Sequence, residues 1–542
     1  MKASTPASSP HLVALSRRHL VILLSALLLL SCQLFTGALT STKTSPNEDT
    51  IYLMGRQPRT MDPAKTLGGP DSPLGHIFSG LVAIDTDMQV QPELAAGWEV
   101  SDNGRIYTFY LRKNGVFHDG RPVTAADIIY SWERAADPAT GSDTVLTYLG
   151  DVAGVTEMNG GETDRISGLR ALDDYTLEVT LREPIVYFLQ KLAYPVAYVV
   201  DKNNVADPDW EHNPNGTGPF RLAVWRDDAQ ILLARNEAYY LEPARVGFVS
   251  YDLGPGLALS LYEQGKIDLV GVGGANLERM QDPNNPLHDQ LRQTVSFCTS
   301  VIGLNNRLAP FDDARVRQAF NYALDKELLI NTFSGGDALP ATGSLPPGMP
   351  GYTNNPNRGY PYDPAKARQL LADAGYADMS QFPVLTYSTG GYGSVNDYVT
   401  AVITMWQENL GVTIKPEVID PYQYYDELYS GNVGHFFGSG WCADYPDPQN
   451  FLDILYHSGS TQNIGGYSNP KVDAMLEAAR VERDTERRMA LYAEIEDRIV
   501  AGAPVVFVSH GLTAVLVSPD LAGYVLTPFG VRQWHRVGVN RN

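Results

Sequence analysis

Two hydrophobic periods alternate through the second half of this chain, and that alternation limits the folds open to it. Helical spacing links Val316, Ala319, Phe320, Ala323 and Leu324 behind a capping aspartate at Asp312 or Asp313. It returns in Ala367, Leu370, Leu371 and Ala374, between a start at Asp363-Pro364 and a stop at Gly375. Asn469-Pro470 opens a third such helix through Val472, Met475, Leu476 and Ala479. Short β-rich pieces, Val384–Tyr387, Val412–Ile414 and Val505–Val508, are interspersed with these helices. Strands interleaved with amphipathic helices predict α/β layers, with a sheet covered on both faces.

The first half is richer in strands. Tyr107, Phe109 and Leu111 alternate with Ile106, Thr108 and Tyr110, and Leu177, Val179 and Leu181 alternate with Glu178, Thr180 and Arg182. Between them Thr124 and Asp127 have the spacing of a capping box that opens a helix through Trp132. The segment 86–211 is therefore mixed α and β. Gly335–Pro364, crowded with Gly, Pro and Asn, reads as a long ordered loop. At 542 residues the chain exceeds one ordinary domain, so two or three packed units are expected.

The amino terminus reads as an address. Arg17, Arg18 and His19 precede an apolar run from Leu20 to Leu30 that ends in Ser31-Cys32, the order of an export signal. Leu29-Leu30-Ser31-Cys32 also resembles the lipobox of bacterial lipoproteins, which implies cleavage after residue 31 and lipidation of Cys32. An uncleaved anchor is the alternative, because Leu34, Phe35 and Leu39 lengthen the apolar stretch toward a bilayer span. Either way the rest of the chain is expected outside the cytoplasm, behind a polar tether over 32–48. A formal net charge of -21 leaves no basic stripe for phosphates and argues against a nucleic-acid partner. Thirty tyrosines suit a wet, adaptable cleft.

Chemistry concentrates in Gly438–Phe451, where Trp441, Cys442, Asp444 and Asp447 crowd a Gly- and Pro-rich loop. Cys298 and Cys442 are the two thiols left if Cys32 carries lipid; a disulfide between them is the simple expectation, two separate buried thiols the alternative. Catalytic signatures are missing: there is no Gly-x-Ser-x-Gly elbow, His-Glu-x-x-His helix or phosphate-binding loop, and no metal or cofactor is expected from the ten scattered histidines. Asp444 and Asp447, three apart around a proline, read as one site carboxylate and one turn carboxylate rather than an acid and base pair.

Several separated motifs carry a resemblance. Pro92-Glu-Leu-Ala-Ala-Gly-Trp98, Tyr107-Thr-Phe-Tyr-Leu-Arg112, Phe117-His-Asp-Gly-Arg-Pro-Val-Thr-Ala-Ala-Asp127 and Gly216-Thr-Gly-Pro-Phe220 lie in the first half. Phe311-Asp-Asp-Ala-Arg-Val-Arg-Gln-Ala-Phe320 and Tyr362-Asp-Pro-Ala-Lys-Ala-Arg-Gln-Leu-Leu371 follow. Together they resemble the extracellular solute-binding proteins of peptide and nickel ABC importers (family 5). Trp441-Cys-Ala-Asp-Tyr445 is similar to the oligopeptide-binding branch.

That resemblance implies a periplasmic-binding-protein type II fold, α/β, with two hinged lobes and an additional inserted α/β domain. The first lobe is expected over 49–85, 212–297 and 510–542, the inserted domain over 86–211 and the second lobe over 298–509. It implies a Cys298–Cys442 disulfide, Asp444 as partner of a peptide's α-ammonium group, and Gly440 and Cys442 as main-chain partners. The expected protein is a monomer, lipid-anchored or periplasmic, that hands oligopeptides to a membrane ABC permease. A cello-oligosaccharide or nickel chelate on the same frame is the alternative, with Trp441, Tyr422 and Tyr148 as sugar platforms; a secreted hydrolase is a weaker one. The sequence departs from relatives that clamp a ligand carboxylate near this loop, since no Arg or Lys lies between Tyr422 and Trp441. Pro58 also removes one main-chain donor from the first strand region.

Overall fold

The computed structural model describes residues 49–67, 72–531 and 533–541. The export signal over 1–31, the Cys32 lipidation site and the 32–48 tether lie outside them. No helix among the described residues is long and apolar enough to cross a membrane.

The helix starts follow from local side-chain chemistry. Asp313, rather than Asp312, caps Ala314–Tyr322 by accepting from the Arg315 amide at 2.8 Å. Asp363 accepts from the Lys366 amide at 2.9 Å and opens Pro364–Asp373, and Asn469 opens Pro470–Val481. Thr124 and Asp127 close the expected capping box on Ala125–Ala136, which buries Trp132 completely.

Among the described residues the largest sheet has eleven strands. Its order runs from Ile414–Ile419 through Leu385–Gly390, Phe436–Cys442, Leu291–Leu304, Val505–Val517, Leu269–Gly271, Thr50–Met54, Phe248–Asp252 and Gln230–Arg235 to Phe220–Arg226. Ala338–Pro340 pairs with Val505–Val517 off this path. One strand is far longer than its pattern predicts. The Val505–Val508 alternation lapses at Ser509, His510 and Gly511, yet the strand continues to Val517 because Leu291–Leu304 lies beside it throughout. Tertiary pairing overrides local propensity here.

Those two strands run through both halves of the sheet. Leu291–Val295 face Leu512–Leu516 in the part that holds Thr50–Met54, and Thr299–Gly303 face Val505–His510 in the part that holds Phe436–Cys442. The ladder is irregular between Val295 and Thr299. A separate antiparallel sheet, ordered Ala95–Val100, Ile106–Leu111, Thr176–Thr180, Leu169–Asp173, packs under Ala125–Ala136 with its own core of Phe109, Trp132, Leu177 and Val179. Tyr445, from beyond the Phe436–Cys442 strand, inserts into that core and stacks along Tyr187.

The stretch 335–364 is not loop throughout, since Ala338–Pro340 joins the sheet and Pro364 begins a helix, and the loop between them is ordered by burial. Leu345 is inaccessible, and Arg358 reaches Glu496 at 2.5 Å and Asp497 at 2.7 Å. Beside it the Thr299 hydroxyl donates to the Ser344 carbonyl at 2.8 Å and so accepts from His510 Nδ1 at 2.9 Å. Burial, then Lys326, pulls the His510 pKa down to about 4. A base depressed by folding contributes stability above its unfolded pKa near 6.5 and loses it as pH falls. The parent is expected to lose about 2 kcal/mol between pH 7 and pH 5 from this residue, and His510→Gln to lose correspondingly less, in denaturant titrations at the two pH values.

Candidate ligand-binding site

The disulfide fixes the polarity of a strand edge. Cys298 and Cys442 are directly opposed and bonded, with Cα atoms 4.0 Å apart. So short a spacing belongs to the non-hydrogen-bonded pairs of an antiparallel ladder, which alternate with hydrogen-bonded ones. Ser300 opposite Gly440 and Ile302 opposite Gly438 fall in the same class, whereas the Ala443 amide turns inward to the Phe297 carbonyl at 2.8 Å. The main-chain N–H and C=O groups of Gly440 and Cys442 therefore point away from Leu291–Leu304. On that outer side the parallel neighbour Leu385–Gly390 pairs only as far as Phe437. Gly440 and Cys442 are exposed, and the strand offers an unpaired edge from Gly438 onward. Tyr424 Oη closes its near end by donating to the Gly438 carbonyl at 2.9 Å.

Asp444 stands just beyond the far end of that edge. Asn450, fully buried in Gln449–Tyr456, accepts from both Trp441 Nε1 and the Asp444 amide at 2.9 Å, and its own amide donates to Asp444 Oδ2 at 3.3 Å. The Tyr148 hydroxyl is the other partner of the carboxylate, and the Tyr148 ring stacks on Tyr194 with centroids 3.7 Å apart. Burial raises the Asp444 pKa, with Asn450 and Tyr148 pulling the other way. Among the described residues no arginine, lysine or histidine forms an ion pair with it. A partly buried carboxylate held by neutral donors alone is arranged to meet a cation from outside.

Asp447 is its opposite. It is 2% exposed, and both its oxygens accept from Arg488, whose guanidinium lies against the rings of Tyr187 and Tyr492. One of the two carboxylates is open to a ligand, and the other is committed to the fold.

Trp441, Tyr148 and Asp444 thus come together through Asn450 and the carboxylate, but Tyr422 stands apart. It is 83% exposed, with its ring facing Tyr392. Asn450 lay inside the conspicuous loop of the sequence, but nothing there singled it out. Tyr194 gave no local signal, and Glu93 stood out only as one position of the Pro92–Trp98 motif. Replacing Asn450 by alanine leaves the Trp441 indole and the Asp444 amide without an acceptor; the expected loss is about 2 kcal/mol of stability in chemical unfolding.

A two-lobed α/β frame with an open strand edge ending at an unpaired carboxylate is the build of a binding protein. The chain belongs to the bacterial extracellular solute-binding proteins: residues 89–463 match family 5 Middle of that group. Members of this family are solute-binding proteins rather than enzymes. The chain is 32% identical over 491 residues to the periplasmic oligopeptide-binding protein OppA of Salmonella typhimurium, covering 87% of this chain and 88% of that one. It is 30% identical over 533 residues to heme-binding protein A of Haemophilus influenzae, covering 93% and 94%. The solved structure of the Escherichia coli murein tripeptide-binding protein MppA superposes with a TM-score of 0.74 at 26% identity, covering 91% of this chain and 99% of that one.

Proposed function

We propose that this protein binds oligopeptides outside the cytoplasmic membrane and delivers them to an ABC permease. Asp444 is the counter-ion of the peptide's α-ammonium group, and Gly440 and Cys442 pair with its main chain as an added strand. Main-chain pairing supplies affinity without reading side chains, so many sequences are accommodated. Capture closes the lobes over 49–85, 212–297 and 510–542 against the lobe over 298–509, bending where the ladder between Val295 and Thr299 is irregular. The inserted domain over 86–211 supplies Tyr148, and Cys32 holds the monomer to the membrane through lipid. The observation that carries this reading is the unpaired edge at Gly440 and Cys442 running toward a carboxylate that, among the described residues, has no cation of its own.

Titration calorimetry with tri- to penta-alanine, cellotetraose and a nickel–histidine chelate tests the ligand class. Saturable binding of the alanine peptides is expected. Binding of the saccharide or the chelate with no response to any peptide overturns the proposal.

A further inference from the structure

Asp444 is not the only carboxylate on its side of the cleft. It shares a cavity of about 80 Å3 with Glu93, His76, Tyr239, Gln533 and His535, and among the described residues no arginine or lysine lines it. Glu93 directly follows the hairpin of Val82–Ile84 and Val90–Pro92, and its side-chain oxygen accepts from the Gly80 amide at 3.3 Å. Arg112 gives its Nε to the Glu93 main-chain carbonyl at 2.6 Å instead of to the side chain. Burial pushes the Glu93 pKa up to about 8, with Gly80, Ser79 and Tyr239 as hydrogen-bonding partners and Arg112 the weakest influence. His535 supplies no charge, since burial holds its pKa near 4. Gln533 Oε1 is buried without a hydrogen-bond partner. The chamber therefore gathers two carboxyl groups and an orphaned amide oxygen, with burial favouring the protonated form of Glu93 while, among the described residues, nothing cationic lines the chamber. Its volume is that of about two or three waters, or of the end of one extended side chain.

We propose that this chamber receives the ammonium or guanidinium group of a lysine or arginine at the first position of the bound peptide, with Glu93 as its counter-ion. This rests on the oligopeptide reading above. The side chain of the first residue is tied to the α-ammonium group through one Cα, so when Asp444 holds that group the side chain is delivered beside the chamber that Asp444 lines. A cationic tip there favours the ionised form of Glu93, whose proton passes to solvent as the ion pair forms, and it meets the Gln533 oxygen, whereas an acidic first residue finds no cation and an apolar one leaves the Gln533 oxygen unsatisfied.

The experiment compares Lys-Ala-Ala, norleucine-Ala-Ala, Glu-Ala-Ala and Ala-Ala-Ala by titration calorimetry at pH 7 on the parent and on Glu93→Gln. The lysine peptide is expected to bind the parent at least tenfold more tightly than its norleucine isostere, with the glutamate peptide weakest. In the variant the ratio of lysine to norleucine affinities is expected to fall to about one. Equal affinity of the parent for the lysine and norleucine peptides overturns the inference and leaves the oligopeptide reading standing, as does a lysine preference that survives in Glu93→Gln. Failure of the parent to bind any of the four overturns both.

Discussion

Asp444→Asn is expected to weaken binding of a free-amino tripeptide by about 100-fold, near 3 kcal/mol, in titration calorimetry. Asparagine keeps the shape of the side chain and its bond to Asn450 but removes the charge that an α-ammonium group needs when the cleft excludes water. The amino-acetylated peptide, which carries no cation, is expected to bind parent and variant alike. Stability moves the other way. Burial raises the Asp444 pKa, so this carboxyl favours the folded state when protonated and opposes it as pH rises past its folded pKa. At pH 7 the ligand-free variant is expected to melt no lower than the parent. Affinity thus comes at a cost to the empty protein. Equal affinities of parent and variant for the free-amino peptide would refute the anchor role.

Asp447→Ala is expected to destabilise the protein by about 3–5 kcal/mol, because it strands the Arg488 guanidinium without its partner in a buried setting. Denaturant unfolding measures it, and a midpoint like the parent's would contradict the structural role. Removing both charges together, in Asp447→Ala with Arg488→Met, is expected to recover a large part of the loss, since no lone charge then stays buried. Two aspartates three residues apart thereby separate: one substitution acts on binding and the other on folding.

How much of this was legible follows from what each residue needs in order to reveal itself. Asp313, Asp363, Asn469 and Thr124 act within three residues, so the sequence shows the helix starts they set. The length of Val505–Val517 depends on a neighbour some two hundred residues upstream, and no window of local pattern contains it. The loop at 438–451 announced itself through its composition, and Asp444 through likeness to relatives. Asn450 was visible but mute, since its three hydrogen bonds exist only once the loop folds back on the helix. Glu93 acquires meaning only from a cavity whose walls come from five separate stretches of chain.

The placement of Tyr445 bears on how the empty protein spends its time. This ring is 1% exposed and belongs to the core of the inserted segment although it follows the Phe436–Cys442 strand. Any parting of the two must withdraw it into water, at a cost of about 2–3 kcal/mol for a large aromatic side chain. A bias of that size changes the ratio of shut to open molecules by roughly 30- to 150-fold. If the lobes close as proposed, the carrier is a latch with a resting position, and the tyrosine sets how many empty molecules present themselves to the permease as though they were loaded.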